Sequence, residues 1–269
     1  MATPRPSPIL RKKLTLLPLV AATYFMVSGG PYGLEDLVQS MGYGRALAVL
    51  AITPLLWALP TAFMVGELAS AIPEEGGYYE WVRRALGPFW GFQEAWLSLA
   101  ASIFDMALYP TLFVLYLGRV WPRMSDSHLA LAMGVTVIAA CVLWNLRGAR
   151  SVGQGSVVLG VLLLAPFVVM TVEALAEPRV ASPAATVPHL PLVMGVLVVM
   201  WNYMGWDNAS TIAGEVENPQ QTYPLGVLLA VVAVTATYMI AVAAAWRTGI
   251  PPAVWDTGAW VQVATAGAG

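Results

Sequence analysis

Apolar residues in this chain gather into long runs. A helix needs about 20 of them to cross a bilayer, and that length picks out seven candidate spans: roughly 14–38, 45–71, 89–120, 128–146, 152–175, 191–213 and 224–246. Two of these cannot be regular helices throughout. In the first, Leu14 to Val27 is apolar, but Ser28-Gly29-Gly30-Pro31-Tyr32-Gly33 interrupts before Leu34 resumes. Pro31 lacks a backbone donor and the glycines favour open or left-handed backbone, so peptide groups are released at bilayer depth. Released groups are tolerated only against protein or a hydrated cavity.

The sixth candidate repeats the interruption. Its apolar run to Met200 is broken by Trp201-Asn202-Tyr203-Met204-Gly205-Trp206-Asp207-Asn208 before Ala209 to Gly214 continues. Five spans separate the two starts, so the first and sixth segments cross in opposite directions. Broken helices at matching places in two inverted halves point to a transporter-type binding site near the midplane. Glycines within one span also serve close helix packing, and Gly29 and Gly33 taken alone leave that reading open.

Polar stretches divide the spans. Residues 1–13 carry Arg5, Arg11, Lys12 and Lys13 with no acid and read as a cytoplasmic tail, which puts Arg83, Arg84, Arg147 and Arg150 on the same side. Pro73 to Pro88 is too polar to cross, and its Tyr, Trp and Arg content fits either a short amphipathic helix at the cytoplasmic face or an ordinary loop. The proline-rich stretch around 176–190 reads as an extracellular connection. The expected domains are thus the tail, a first five-helix repeat over 14–175, that connection, and an incomplete second repeat over 191–269.

Composition agrees with the spans: of 269 residues 58% are hydrophobic and only 10% charged, with a mean hydropathy of +0.70. The expected fold class is an all-α polytopic membrane protein. Net charge is −2, and the basic residues lie at span ends rather than in a patch, so nucleic acid is discounted as a partner. Cys141 is the only cysteine and offers no internal disulfide. His128 and His189 stand apart with no ligand spacing, so no metal site or metal cofactor is expected. No Walker loop or nucleophile elbow is present, and no enzyme activity is expected.

Carboxylates at bilayer depth carry more information, because each costs about 2.5–3.5 kcal/mol on insertion scales. Asp105, midway along the third span, and Asp207, beside the sixth-span break, must be offset by protonation, a donor or a bound cation, all of which imply a polar pathway. Glu35 and Asp36 close the first span, either as a solvated end or in a vestibule on a cation or proton pathway. Glu67 and Glu94 read as structural anchors, Glu67 with a basic partner in the loop after it. Most tryptophans suit interfacial belts. Trp201 and Trp206 bracket the second break, where a ring can cover a ligand or face a cation.

Several blocks in order carry a family resemblance: Val27-Ser28-Gly29-Gly30-Pro31-Tyr32-Gly33-Leu34-Glu35-Asp36, Gly66-Glu67-Leu68-Ala69, Gly76-Gly77-Tyr78 and Gly87-Pro88-Phe89-Trp90-Gly91-Phe92-Gln93-Glu94. Asp105-Met106-Ala107-Leu108-Tyr109-Pro110 and Trp206 to Thr211, running on to Pro219, complete the set. After the tail the chain resembles the amino acid, polyamine and organocation transporter superfamily. Within it, the chain is similar to the polyamine and L-type amino-acid transporters of plants and protozoa. The resemblance implies a five-plus-five inverted repeat with alternating access, of which spans 1 to 7 are present. It implies a substrate site at Ser28, Gly29 and Gly30 of the first break and at Trp201 and Met204 of the sixth, with Trp201 as the gate. Many relatives read Gly-Ser-Gly where this chain has Val27-Ser28-Gly29. Neutral amino-acid exchangers tend to carry Asn where Asp207 stands. An acid there suits an ammonium, since unit charges about 4 Å apart at an effective dielectric near 20 attract by about 4 kcal/mol before desolvation.

These readings converge on secondary active transport of polyamines or cationic amino acids across a plasma membrane. Proton coupling is expected from the family, and the chain is expected to form the N-terminal part of a longer permease that does not transport alone. Competing readings are a neutral or broad amino-acid permease and a non-transporting membrane scaffold fragment. The sequence is silent on oligomeric state.

Overall fold

The computed structural model describes residues 14–74, 76–176, 178 and 192–267. The tail over 1–13, most of the connection over 176–190 and His189 lie outside the described residues. What is described is helical apart from one isolated bridge between Leu14 and Val216. Helices α1 (Leu16–Val27), α2 (Glu35–Thr53), α3 (Leu59–Ala71), α4 (Tyr78–Leu86) and α5 (Pro88–Val120) make up the first part. Then follow α6 (Ser127–Asn145), α7 (Ala149–Ala176), α8 (Leu192–Asn202), α9 (Pro219–Arg247) and α10 (Trp260–Gly267).

Five stretches among the described residues are long and apolar enough to span a bilayer: Glu35–Ala71, Pro88–Val120, Ser127–Asn145, Ser151–Ala176 and Pro219–Arg247. The other two expected spans are the broken ones. Helix α1 has 12 residues and α8 has 11, each about half of the ~30 Å hydrocarbon core at 1.5 Å per residue. The first span continues past its break as Glu35–Met41, and Gly42, at φ 72°, turns the chain into the second. Pro54 then opens a five-residue π-helical turn, Pro54–Ala58, inside the second span; a proline frees the carbonyl one turn earlier, and the wider turn absorbs the change.

After its break the sixth segment tightens into a 3-10 helix over Trp206–Glu215. Leu14 N–H donates to the Glu215 carbonyl at 3.1 Å, and Glu217 N–H donates to the Leu14 carbonyl at 2.9 Å. The first and sixth segments therefore start and finish at opposite ends of one another: Leu14 lies beside Val216, Met26 beside Gly205, and Gly33 beside Trp201 and Asn202. They run antiparallel.

Helix α9 is the hub, packing on α1, α2, α3 and α7. Small residues make that possible. Ala230, Ala241, Ala244 and Ala245 of α9 and Ala58, Ala62 and Ala69 of the second span are buried, letting backbones approach as dispersion-driven packing in lipid requires. Helices α5 and α6 flank this core with Phe89, Trp96, Ile103, Leu131 and Leu143 exposed, the pattern of lipid-facing surface.

The stretch after the second span does form the short helix α4, resolving the two sequence alternatives. Its entry is fixed by Gly77, where a Cβ would fall 2.1 Å from Ser210 Oγ, and the Tyr78 N–H donates to that same oxygen at 3.3 Å. Arg83 pairs with Glu80 and Arg84 with Glu74, each at 2.5 Å. Among the described residues the expected basic partner for Glu67 is thus not found: the loop arginines pair with Glu80 and Glu74, and Glu67 is exposed.

Candidate functional site

The two breaks meet around a cavity of about 1170 Å3. Its wall takes Ser28 and Gly29 from the first break, Trp201, Met204, Gly205 and Asp207 from the second, and Asp105 from α5. Among the described residues no lysine, arginine or histidine lines it. Seven of the residues that carry the sequence argument thus share one enclosure.

Backbone released at the first break is satisfied locally and from α9 and α10. Gly30 N–H donates to Ser28 Oγ at 3.0 Å, and Gly33 N–H donates to Glu35 Oε2 at 2.7 Å. The Pro31 carbonyl accepts from Trp260 Nε1 at 3.1 Å. At the second break the Tyr203 carbonyl accepts from Trp206 Nε1 at 2.8 Å, and the Asn202 carbonyl lies 3.0 Å from the Tyr238 hydroxyl. That hydroxyl also lies 2.7 Å from Ser28 Oγ. A carbonyl only accepts, so the phenol proton goes to Asn202 and the Ser28 hydroxyl donates to the phenol oxygen. Tyr238, on α9 and 1% exposed, therefore joins both breaks.

Close approach is enforced at Gly205, in the left-handed region at φ 99°. A Cβ there would stand 2.4 Å from the Met26 carbonyl oxygen. Only glycine lets the two segments touch at this depth.

Other expected site residues lie elsewhere. Gly30 does not line the cavity; its amide is taken up by Ser28, and its Cα faces Leu163. Trp206 is buried at 1% exposure with its indole spent on a main-chain carbonyl, so it covers no ligand. The turn through Gly205, at φ 99°, brings the indole of Trp206 back to the Tyr203 carbonyl, which the sequence pattern of a plain break does not reveal. Glu35 is 2% exposed and sits beyond the cavity wall, where it accepts from the Gly33 and Gly258 amides and from the Tyr116 hydroxyl. Asp36 is exposed and off the wall.

Aromatic and hydroxyl groups that the sequence argument did not single out complete the enclosure: Tyr32, Tyr78, Tyr109, Tyr116, Ser98 and Tyr238. The Tyr109 ring packs toward Gly29, at 3.5 Å from an ideal Cβ. Tyr32 meets Tyr116 edge to face at 4.9 Å and Phe167 at 5.4 Å, and Phe167 meets Trp260 at 5.2 Å. This layer closes the end of the cavity toward α10. At the other end, beside α4, burial pushes the Tyr78 phenol pKa up, and the negative charges of Glu94 and Asp207 push it the same way.

Two half-helices crossing in opposite senses around a shared acidic and aromatic cavity define a multi-pass membrane protein of the discontinuous-helix kind. Residues 20–266 match the model of a family described as amino acid permease. The chain belongs to that family, within the superfamily its motifs resemble. It is 41% identical over 242 residues to a probable polyamine transporter of Arabidopsis thaliana, covering 88% of this chain and 49% of the relative. The polyamine transporter RMV1 of Arabidopsis thaliana is 36% identical over 236 residues, covering 86% and 48%. The polyamine transporter PUT1 of Oryza sativa subsp. japonica is 36% identical over 258 residues, covering 96% and 48%. The chain spans about half the length of the curated relatives it matches.

Proposed function

We propose that this chain is the N-terminal, substrate-contacting part of a polyamine or cationic amino-acid permease, working by secondary active transport. One observation carries the reading: Asp105 and Asp207 line a cavity built at two helix breaks, with no basic residue among the described residues of the wall to neutralise them. An ammonium group offsets that uncompensated charge better than a neutral ligand does. Tyr32, Tyr109 and Trp201 on the same wall suit the methylene and ammonium groups of such a substrate. The names of the relatives, one a probable polyamine transporter and two polyamine transporters, support the same substrate class.

In this reading Ser28, Gly29, Trp201, Met204 and Asp207 contact substrate, and Gly30 supports Ser28 from behind. Asp105 and Asp207 hold the cation or carry a coupling proton; Glu35 and Asp36 belong to the approach from the outer side. The N-terminus is cytoplasmic and the membrane is the plasma membrane. In the complete gene product, Asp207→Asn is expected to depress diamine uptake more than uptake of a neutral amino acid. Equal losses for both would refute the cation role and favour the broad permease reading.

A further inference from the structure

Behind the cavity wall, the second span carries an irregularity of its own. Pro54 has no N–H, so the Leu50 carbonyl, four residues earlier, lacks its donor from the regular helical ladder. Leu50 is fully buried, which keeps water from that carbonyl, and a buried acceptor calls for a partner. The second break supplies one: the Tyr203 hydroxyl donates to the Leu50 oxygen at 3.3 Å. Thr235 of α9 also faces this phenol, but its Oγ1 makes no hydrogen bond, so the phenol proton goes to the second span.

Tyr203 does not line the cavity, but its neighbours Trp201, Asn202 and Met204 do. The Met204 N–H donates to the Trp201 carbonyl at 3.1 Å, which closes a tight turn with Tyr203 inside it. From that turn the Tyr203 side chain enters the core. It is 0% exposed, and its ring meets that of Tyr238 edge to face at 5.3 Å. Its carbonyl is held by Trp206 within the same segment, whereas its hydroxyl reaches out of the segment to a different span. One residue thus has wall-forming neighbours on both sides and an anchor at the far end of its ring.

We propose that Tyr203 is a positioning residue for the substrate site: its hydroxyl, taken up by the carbonyl that Pro54 leaves free, ties the turn bearing Trp201 and Met204 to the second span and sets where those two stand on the wall. Binding side chains hold their geometry only when the shell behind them is fixed. Any other residue at position 54 would bring an N–H to the Leu50 carbonyl and compete with the phenol. Pro54 keeps that acceptor open, and the π-helical turn that follows takes up the change in the backbone.

The inference rests on the cavity being the substrate site, not on the amine as its substrate. In the complete gene product, solubilised, the parent, Tyr203→Phe and the double variant Tyr203→Phe/Pro54→Ala are compared by unfolding midpoint, by putrescine affinity from thermal shift, and by amide hydrogen exchange over 201–206. Tyr203→Phe is expected to lower the midpoint, to weaken putrescine about three- to tenfold, the span of one neutral hydrogen bond, and to speed exchange over 201–206 by a similar factor. In the double variant the new amide at 54 serves the Leu50 carbonyl, so the midpoint recovers while affinity and exchange stay at the Tyr203→Phe values. Recovery of all three together, a lowered midpoint with affinity and exchange unchanged, or no change at all makes the phenol a packing group and overturns the proposal. So does a double variant that fails to fold. A parent that does not respond to putrescine overturns the polyamine reading instead, and the exchange over 201–206 still decides the role of Tyr203.

Discussion

Removing one oxygen from Tyr238 tests the union of the two breaks more directly than any change on the cavity wall. Tyr238→Phe keeps the ring and its edge-to-face contact with Tyr203, at 5.3 Å between centroids, but deletes the hydroxyl shared by Ser28 and Asn202. Ser28 is partly compensated, because its hydroxyl can turn to the Gly30 carbonyl 3.5 Å away. The Asn202 carbonyl has no other donor among the described residues, and an unsatisfied buried acceptor costs about 1–3 kcal/mol. Cavity water reaches the site from one side, which brings the expectation to about 1–2 kcal/mol.

The effect is read by thermal or denaturant unfolding of the solubilised protein, together with amine binding. A loss near 1.4 kcal/mol in site organisation corresponds to about tenfold in affinity. A double-mutant cycle with Ser28→Ala isolates the shared bond, and residues in one hydrogen-bond network couple by about 0.5–3 kcal/mol. If Tyr238→Phe matches the parent in both stability and affinity, or if the two substitutions simply add, the phenol does not hold the breaks together and the reasoning fails.

Gly205→Ala is expected to be among the most damaging single changes. Its new methyl would meet the Met26 carbonyl at 2.4 Å in a backbone at φ 99°, so a loss of folded yield in detergent corresponding to about 3 kcal/mol or more is predicted; normal yield would mean the segments do not touch there. Trp206→Phe forfeits the bond to the Tyr203 carbonyl and should lower unfolding stability by about 1–3 kcal/mol without changing the ranking of amine substrates, since the ring is off the wall. A changed ranking would return Trp206 to the binding site.

Much of this arrangement was legible because its causes are local. Pro31 and the glycines around it break α1 wherever that sequence sits, and Trp201 to Asn208 is too polar and glycine-bearing to stay helical in lipid. The antiparallel sense of the two segments follows from the number of spans between them. The charges of Asp105 and Asp207 are too expensive to face acyl chains, so their presence on the cavity wall also follows. What escaped depends on contacts between distant elements. Tyr238 lies in the apolar run of α9, where its hydroxyl looks like one more mid-span tyrosine, and nothing in that run reveals that it faces Ser28, 210 positions away. Glu35 takes its partners, the Gly258 amide and the Tyr116 hydroxyl, from elements far along the chain that the residues around it do not reveal.

The two ends of the cavity are held by different kinds of contact, and this bears on how it opens. Toward α10, Glu35 binds the Gly258 amide, Trp260 binds the Pro31 carbonyl, and Arg119 bonds to Asp256 at 2.7 Å and to the Thr257 carbonyl at 2.8 Å. Those bonds surround a layer of four edge-to-face rings, so opening there breaks hydrogen bonds and aromatic packing together. Toward α4, the hydrogen bond across the gap among the described residues is the one from Tyr78 N–H to Ser210 Oγ, and the ion pairs of Arg83 and Arg84 stay with Glu80 and Glu74 on the α4 side. Moving α4 off the sixth segment leaves those ion pairs intact. Among the described residues the α4 end is therefore held by fewer bonds than the α10 end in this conformation.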